Sequence, residues 1–271
     1  MMKTTIRKTL LACAVTAAVA FGANASAAEL FPDFKVDASL GGTNATFTAD
    51  KITGNYVEII DFSNTGTFQV SLYWKAAAFV SNEGSNQLDA GDTGLGVNYG
   101  LYALYSANGT FSVSGGKTTF NFVPGTGSLS VYLDPNRNTS YVSTNLSDFV
   151  ASGTDGDILL ASGAPLAGTG ELNPSLPTCG AGGGSGINCG SFGSTTTFDL
   201  SAQGKQFFTE PNPFYPLSFQ SGQLNNFNTA GRQVINGSLD VVFAVPEPTS
   251  VALLGLGLVG LGLSRRRSKK A

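Results

Sequence analysis

The residues of this chain that could do chemistry are a few carboxylates and two cysteines. Asp92-Thr93-Gly94 is a triplet able to present a catalytic carboxylate. Acid catalysis of that kind needs two carboxylates sharing a proton at close range. No second Asp-Thr-Gly or Asp-Ser-Gly occurs, and Ala90-Gly91 leads into the triplet from a polar, Gly-rich stretch, so a turn is expected. Asp89 with Asp92, and Asp155 with Asp157, are oxygen donors that a structural Ca²⁺ would use. Calcium requires six to eight oxygens, and neither pair lies in an EF-hand or glycine-nonapeptide pattern; Asp155-Gly156 reads as a turn. Serines are plentiful, but the chain contains no histidine. That excludes His-based triads and His-ligated zinc or copper. The expectation is a protein that is not an enzyme, with no catalytic residues, no metal site and no cofactor.

Cys179 and Cys189 bracket Gly-Ala-Gly-Gly-Gly-Ser-Gly-Ile-Asn. A loop this flexible closes without strain, and an oxidising compartment permits a disulfide. Two thiols without histidine make a poor metal site. Tyr73, Trp74, Tyr102, Tyr105, Phe214 and Tyr215 are candidates to stack on sugar rings, having an apolar face and, in Tyr and Trp, a polar tip. Aromatics that alternate along strands are, however, ordinarily core.

The elements that must carry these residues read as strands. Apolar and polar residues alternate, with β-branched and aromatic enrichment, at 34–40, 46–49, 56–62 and 68–73, and again at 99–105, 110–113, 118–123 and 128–133. Turn signals separate them: Asn64-Thr65-Gly66, Ala107-Asn108-Gly109, Ser114-Gly115-Gly116 and Pro124-Gly125-Thr126-Gly127. Residues 74–80 read as strand, 81–96 as a long polar loop, and 163–193 as a second, Gly-rich loop holding both cysteines. Strands resume at 195–200 and 205–209. A closing hairpin is expected over 233–244, turning at Asn236-Gly237, the favoured two-residue hairpin pair. Short strands about ten residues apart predict an all-β fold, an antiparallel sandwich or barrel-like single domain over residues 29–244.

Both ends look topogenic. Lys3, Arg7 and Lys8 precede an apolar run at 9–21 and the small residues 23–28, which is the pattern of a secretory signal peptide occupying 1–28. Leu10-Leu11-Ala12-Cys13 mimics a lipoprotein box, but cutting there would leave too short an apolar region. At the other end, Val245-Pro246-Glu247-Pro248 is followed by thirteen apolar or Gly residues at 251–263 and then by Arg265, Arg266, Arg267, Lys269 and Lys270. The prolines hold the acidic kink extended and accessible. The apolar stretch spans roughly 20 Å as a helix, short for a membrane, with the cations favouring the cytoplasmic side. Gly255, Gly257 and Gly260 match G-x-G-x-x-G, but no strand and βαβ unit surround them. With the basic residues of the two ends set aside, seven basic residues face 18 acidic ones over 29–248, a net charge near −11. Such a body lacks the basic surface that nucleic acid requires.

The tail, 245–271, resembles the PEP-CTERM sorting signal of Gram-negative bacteria, with Pro246, Glu247 and Pro248 matching its motif. The resemblance implies recognition by an exosortase, anchoring in the membrane through a short transmembrane sorting helix before processing, and export alongside exopolysaccharide to the cell surface or extracellular matrix. The body is similar at 47–58, at 99–105 and at 132–136 (Tyr-Leu-Asp-Pro-Asn) to flocculation-associated PEP-CTERM proteins. That similarity implies a non-enzymatic part in floc or biofilm formation with exopolysaccharide or other matrix components. The alternative is a carbohydrate-binding module that recognises exopolysaccharide through exposed aromatics.

Overall fold

The computed structural model describes residues 31–142, 150–179, 188–222 and 224–243. The signal segment, Cys13, the Pro-Glu-Pro motif from Val245, the apolar stretch expected to form the sorting helix, the basic cluster at 265–270 and most of the glycine tract lie outside those residues. Among the described residues no helix is long and apolar enough to cross a membrane.

The strands are, in order, β1 (Phe34–Asp37), β2 (Thr46–Ala49), β3 (Lys51–Phe62), β4 (Thr67–Ser81), β5 (Asn86–Gln87), β6 (Gly100–Ser114), β7 (Lys117–Asp134), β8 (Ser140–Val142), β9 (Val150–Ser152), β10 (Ile158–Gly163), β11 (Pro165–Leu172), β12 (Gly190–Thr196), β13 (Asp199–Leu200), β14 (Phe208–Glu210), β15 (Leu217–Ser221) and β16 (Gly231–Phe243). β10 and β11 follow each other around Ala164 and both pair with β7. Likewise β12 and β13 pair in turn with β11 and β10. Counting each such couple as one, the chain makes an eight-stranded antiparallel meander, β3–β4–β6–β7–β10/β11–β12/β13–β15–β16, and β16 returns to pair with β3. The result is a closed barrel, the architecture that removes unpaired sheet edges altogether. Of the two expected architectures, the barrel is the one formed.

Several expected turns are not turns. Ala107-Asn108-Gly109 and Pro124-Gly125-Thr126-Gly127 lie inside β6 and β7: Ala107 pairs with Gly127 and Gly109 with Phe122, so the extra residues of β7 bulge out and pairing resumes beyond them. Such a bulge bends and twists the strands as barrel closure requires. Glycine is needed on both sides of it. A Cβ on Gly109 would run into the Phe68 ring, and Gly127 has φ 109° with the Ser106 carbonyl against it. Asn236-Gly237 is likewise mid-strand, opposite Val57 and Tyr56. Its local turn preference yields to a ladder along the whole of β16 that buries Ile235, Leu239 and Val241. The expected loop at 163–193 takes in all of β11 and the start of β12, and the connection between them runs only over 173–189. Cys179 and Cys189, with Cα atoms 4.4 Å apart, are joined by a disulfide across that connection. Part of the strand expected at 205–209 is a short helix, Gly204–Phe207, which leads into β14.

The barrel is filled. Trp74, Tyr56, Phe68, Phe219, Leu72, Leu101 and Leu129 are among its largest fully buried side chains. The Trp74 indole Nε1 donates to the Leu239 carbonyl at 2.9 Å, so its polar atom is satisfied. Gly54 makes room for it, since a Cβ there would meet the indole and the Lys75 carbonyl. A three-stranded sheet, β14–β1–β2, packs at the end where β3 begins and β16 finishes. Phe34 at its centre lies 4.8 Å from Phe243 and 6.0 Å from Phe208, ring to ring, and Phe47 lies 4.7 Å from Phe79. A smaller cluster of Ile59, Tyr73 and Tyr102 lies apart from this main core. Tyr73, Tyr102 and Tyr132 stack in a row across neighbouring strands, at 5.7 and 5.1 Å, and Tyr141 of the β8–β9 hairpin packs on Tyr73 at 5.5 Å.

Candidate functional site

Two features of the barrel wall stand out, one outside and one inside. Outside, β7, β11, β12 and β15 form a trough of about 890 Å³, within the size range of ligand sites. Its cause is local. Two inward positions of β11 are glycines: Gly170, opposite Phe120 and Phe192, and Gly168, opposite Ser194. A Cβ at Gly168 would meet the Phe122 ring at 2.7 Å, and one at Gly170 would meet Phe192 at 3.0 Å. Without side chains there, the strand sinks onto the phenyl rings and the outer face becomes concave. Alternation then turns Asn121, Thr169, Ser191, Thr195, Ser218 and Gln220 outward along it. Gly193 lies among them, and a Cβ on it would make only an ordinary 3.4 Å contact with the Phe219 carbonyl oxygen. Glu171, which also lines the trough, forms an ion pair with Lys117. A second hollow of about 360 Å³ adjoins across Gln220, Ser221 and Gly222 and reaches Ser238 and Asp240. Asp240 is paired with Lys51 at 3.0 Å.

Inside, Glu58 shares the inward parity of Tyr56, Ile60 and Phe62 on β3 and is 7% exposed. It lines a cavity of about 20 Å³ with Ile60, Phe68, Phe120, Phe122, Phe192, Leu224 and Phe227. Among the described residues its carboxyl has no hydrogen-bond or ion-pair partner, and burial pushes its pKa up to about 8. Nearby, Tyr105 Oη and Ser194 Oγ are hydrogen-bonded at 2.7 Å. Burial, with Glu58 adding to it, raises the Tyr56 and Tyr105 hydroxyls well above the usual tyrosine value, so both stay neutral donors.

The residues singled out from sequence fall elsewhere. Asp92 and Thr93 sit on the short helix Ala90–Thr93, which Gly94 ends with φ 77°. The Thr93 hydroxyl donates to the Asp89 carbonyl at 3.1 Å, while Asp89 and Asp92 themselves are exposed. This is the geometry of a turn. Asp157 accepts from the Tyr102 hydroxyl at 2.7 Å and from the Thr139 hydroxyl at 2.9 Å, tying the tyrosine row to the loop below it. Asp134 accepts from three backbone N–H groups, of Asn136, Arg137 and Thr139, at 2.6 to 3.0 Å. Burial alone would raise its pKa, but these bonds outweigh it and hold the carboxyl below the usual range. Among the described residues no three Asp, Glu or Cys side chains gather as a metal site.

The aromatic candidates are corrected by the structure. Tyr73, Trp74, Tyr102 and Tyr105 are at most 5% exposed. Phe214 and Tyr215 are half-buried against the core near Phe243. None of these six presents an open ring face for a sugar: Trp74 and Tyr105 point into the barrel, Tyr73 and Tyr102 are covered on its outer face by the tyrosine stack, and Phe214 and Tyr215 pack against aromatic rings. What the sequence reading missed had a signal in each case. Glu58 has the parity of the buried Tyr56 and Ile60, and the trough's polar row alternates with glycine in a stretch read as loop.

A family model, the PEP-CTERM protein-sorting motif, matches residues 244–267. No curated protein and no solved structure gives a significant match to the chain. The stretches of the body that resemble flocculation-associated proteins, at 47–58, 99–105 and 132–136, therefore stand on that resemblance alone. The motif begins one residue after β16, the strand that closes the barrel, ends at Phe243. The chain is thus a β-barrel carrying a PEP-CTERM sorting motif, an exported protein whose processing partner is an exosortase.

Proposed function

We propose that the protein is a non-enzymatic component of the cell surface or extracellular matrix that promotes floc or biofilm formation together with exopolysaccharide. It would be held in the membrane by its C-terminal segment until the exosortase acts. The observation that carries this reading is the junction at Phe243: a finished, closed barrel runs straight into the sorting motif. What is delivered is a rigid body with a packed interior, whose dealings with other molecules take place on its outer face. The acidic, histidine-free composition supports a soluble structural role without a resident cofactor. A carbohydrate-binding role remains the second reading, favoured by the polar trough rather than by aromatic rings.

Deleting the gene in the native host and scoring aggregation tests the proposal. Loss of flocculation, restored by the intact chain but not by a chain lacking residues 245–271, is the expected result. Unchanged aggregation in the deletion strain would end this reading, and so would release of sugars from purified exopolysaccharide by the protein.

A further inference from the structure

We propose that the outer trough across β7, β11, β12 and β15 is a binding groove for an uncharged polysaccharide chain. The inference rests on the reading that the protein works with extracellular polysaccharide, and it names the surface and the class of glycan.

Three observations support it. First, the groove has a built floor: Gly168 and Gly170 let β11 settle on Phe122 and Phe192, so the concavity follows from the packing beneath it. Second, most of its hydrogen-bonding side chains are left open. On other parts of the barrel's surface, hydroxyls on neighbouring strands bond each other: Ser106 with Ser128 at 3.3 Å and Ser140 with Ser152 at 3.0 Å. At the trough itself, Thr119 bonds Ser112 at 2.9 Å and Ser221 bonds the Ser238 carbonyl at 3.0 Å. In the trough, the side chains of Asn121, Thr169, Ser191, Thr195, Ser218 and Gln220 bond to no other group among the described residues. Each hydroxyl and amide both donates and accepts, as a sugar hydroxyl does, so the row can meet a hydroxyl-rich chain directly or through bridging water.

Third, the groove is electrically neutral. Its charged lining residue, Glu171, is paired with Lys117, and Asp240 in the adjoining hollow is paired with Lys51. No uncompensated cation waits for an acidic polymer, and the body's net negative charge would repel one. The shape suits a chain rather than a compact ligand. From β7 through β11, β12 and β15 to β16 are four inter-strand steps, about 19 Å at ~4.8 Å each.

The test uses the full chain, purified in detergent micelles and run in native gels cast with a neutral polysaccharide (galactomannan, dextran or mixed-linkage β-glucan) or an acidic one (alginate). The wild-type protein should be retarded by at least one neutral polymer and not by alginate. Gly193→Trp fills the groove from its floor, at a position where the backbone is extended and the side chain has room to stand outward. It should weaken retardation by more than about tenfold, a loss of ~1.4 kcal/mol, with an unchanged thermal midpoint. Should that variant fold poorly, Asn121→Ala/Thr169→Ala/Gln220→Ala removes bonding groups without adding bulk and should give the same loss. Retardation by alginate alone, by no polymer, or equally in wild type and a folded groove variant would overturn the assignment. In the last case the broader matrix role would stand, with binding placed elsewhere. If the gene deletion left aggregation unchanged while the groove variants lost glycan retention, the matrix role would fall and the groove would stand.

Discussion

Glu58 makes a quantitative prediction. Its carboxyl is neutral in the folded barrel up to about pH 8, whereas in the unfolded chain it ionises near 4.5. Below pH 4.5 both states hold the proton and the group contributes no pH dependence. Above it the unfolded chain releases the proton and the folded chain does not, so stability falls with rising pH until the folded group ionises near 8, and then levels off. At ~1.4 kcal/mol per unit of pKa, the full interval is worth at most ~5 kcal/mol. That is a large share of the ~5–15 kcal/mol by which domains are stable. The window is unusually clean because the chain has no histidine to titrate in it. Asp50, whose pKa burial also raises, acts in the same direction. Asp134, whose pKa is lowered, contributes stability that is lost only in acid below the usual carboxylate range. Guanidinium unfolding of wild type and Glu58→Gln at pH 5 and pH 8 measures the effect. The wild type should lose up to ~4 kcal/mol between the two, and the variant should lose markedly less. Glu58→Leu should exceed the wild type in stability at pH 8. Equal slopes in wild type and Glu58→Gln would show that the carboxyl reaches water in the folded state and would refute the reasoning.

Other outcomes follow from the packing. Gly54→Ala sets a methyl against the Trp74 indole and the Lys75 carbonyl; overpacking of this kind should cost about 1–3 kcal/mol, read as a lower urea midpoint. Cys179→Ser/Cys189→Ser frees the connection between β11 and β12 and should cost about 2–3 kcal/mol in the chain-entropy model; an unreduced wild type no more stable than the double variant would contradict it. Mass spectrometry of the protein recovered from cells should find a mature C-terminus upstream of the apolar stretch at 251–263; a pool ending only at Ala271 would contradict processing by an exosortase.

The sorting tail, the pair of cysteines and the β character of the body were all legible in the linear chain, because each depends on neighbours in sequence. Pro246 and Pro248 constrain their own backbone, the run at 251–263 is apolar whatever surrounds it, and alternation at 56–62 or 68–73 is a local pattern. Strand ends were less legible. The turn propensities of Ala107-Asn108-Gly109 and Asn236-Gly237 are local preferences of about a kcal/mol, and ladders running the length of β6 and β16 override them.

What no local pattern contains is which face of a strand becomes the inside. Alternation divides residues into two sets, and closure of β16 onto β3 and of β11 onto β7 assigns one set to the interior. That assignment put Trp74 and Tyr105 inside the barrel, while Tyr73 and Tyr102, on the outer face, are covered by the tyrosine stack. It placed Glu58 among phenyl rings, and it left the hydroxyls of Ser191 and Thr195 facing solvent on either side of Gly193. The address on this protein is written in sequence because the sorting motif is one contiguous stretch, 244–267. Its binding surface depends on register and closure, which bring residues 121, 169, 191 and 220 onto one face.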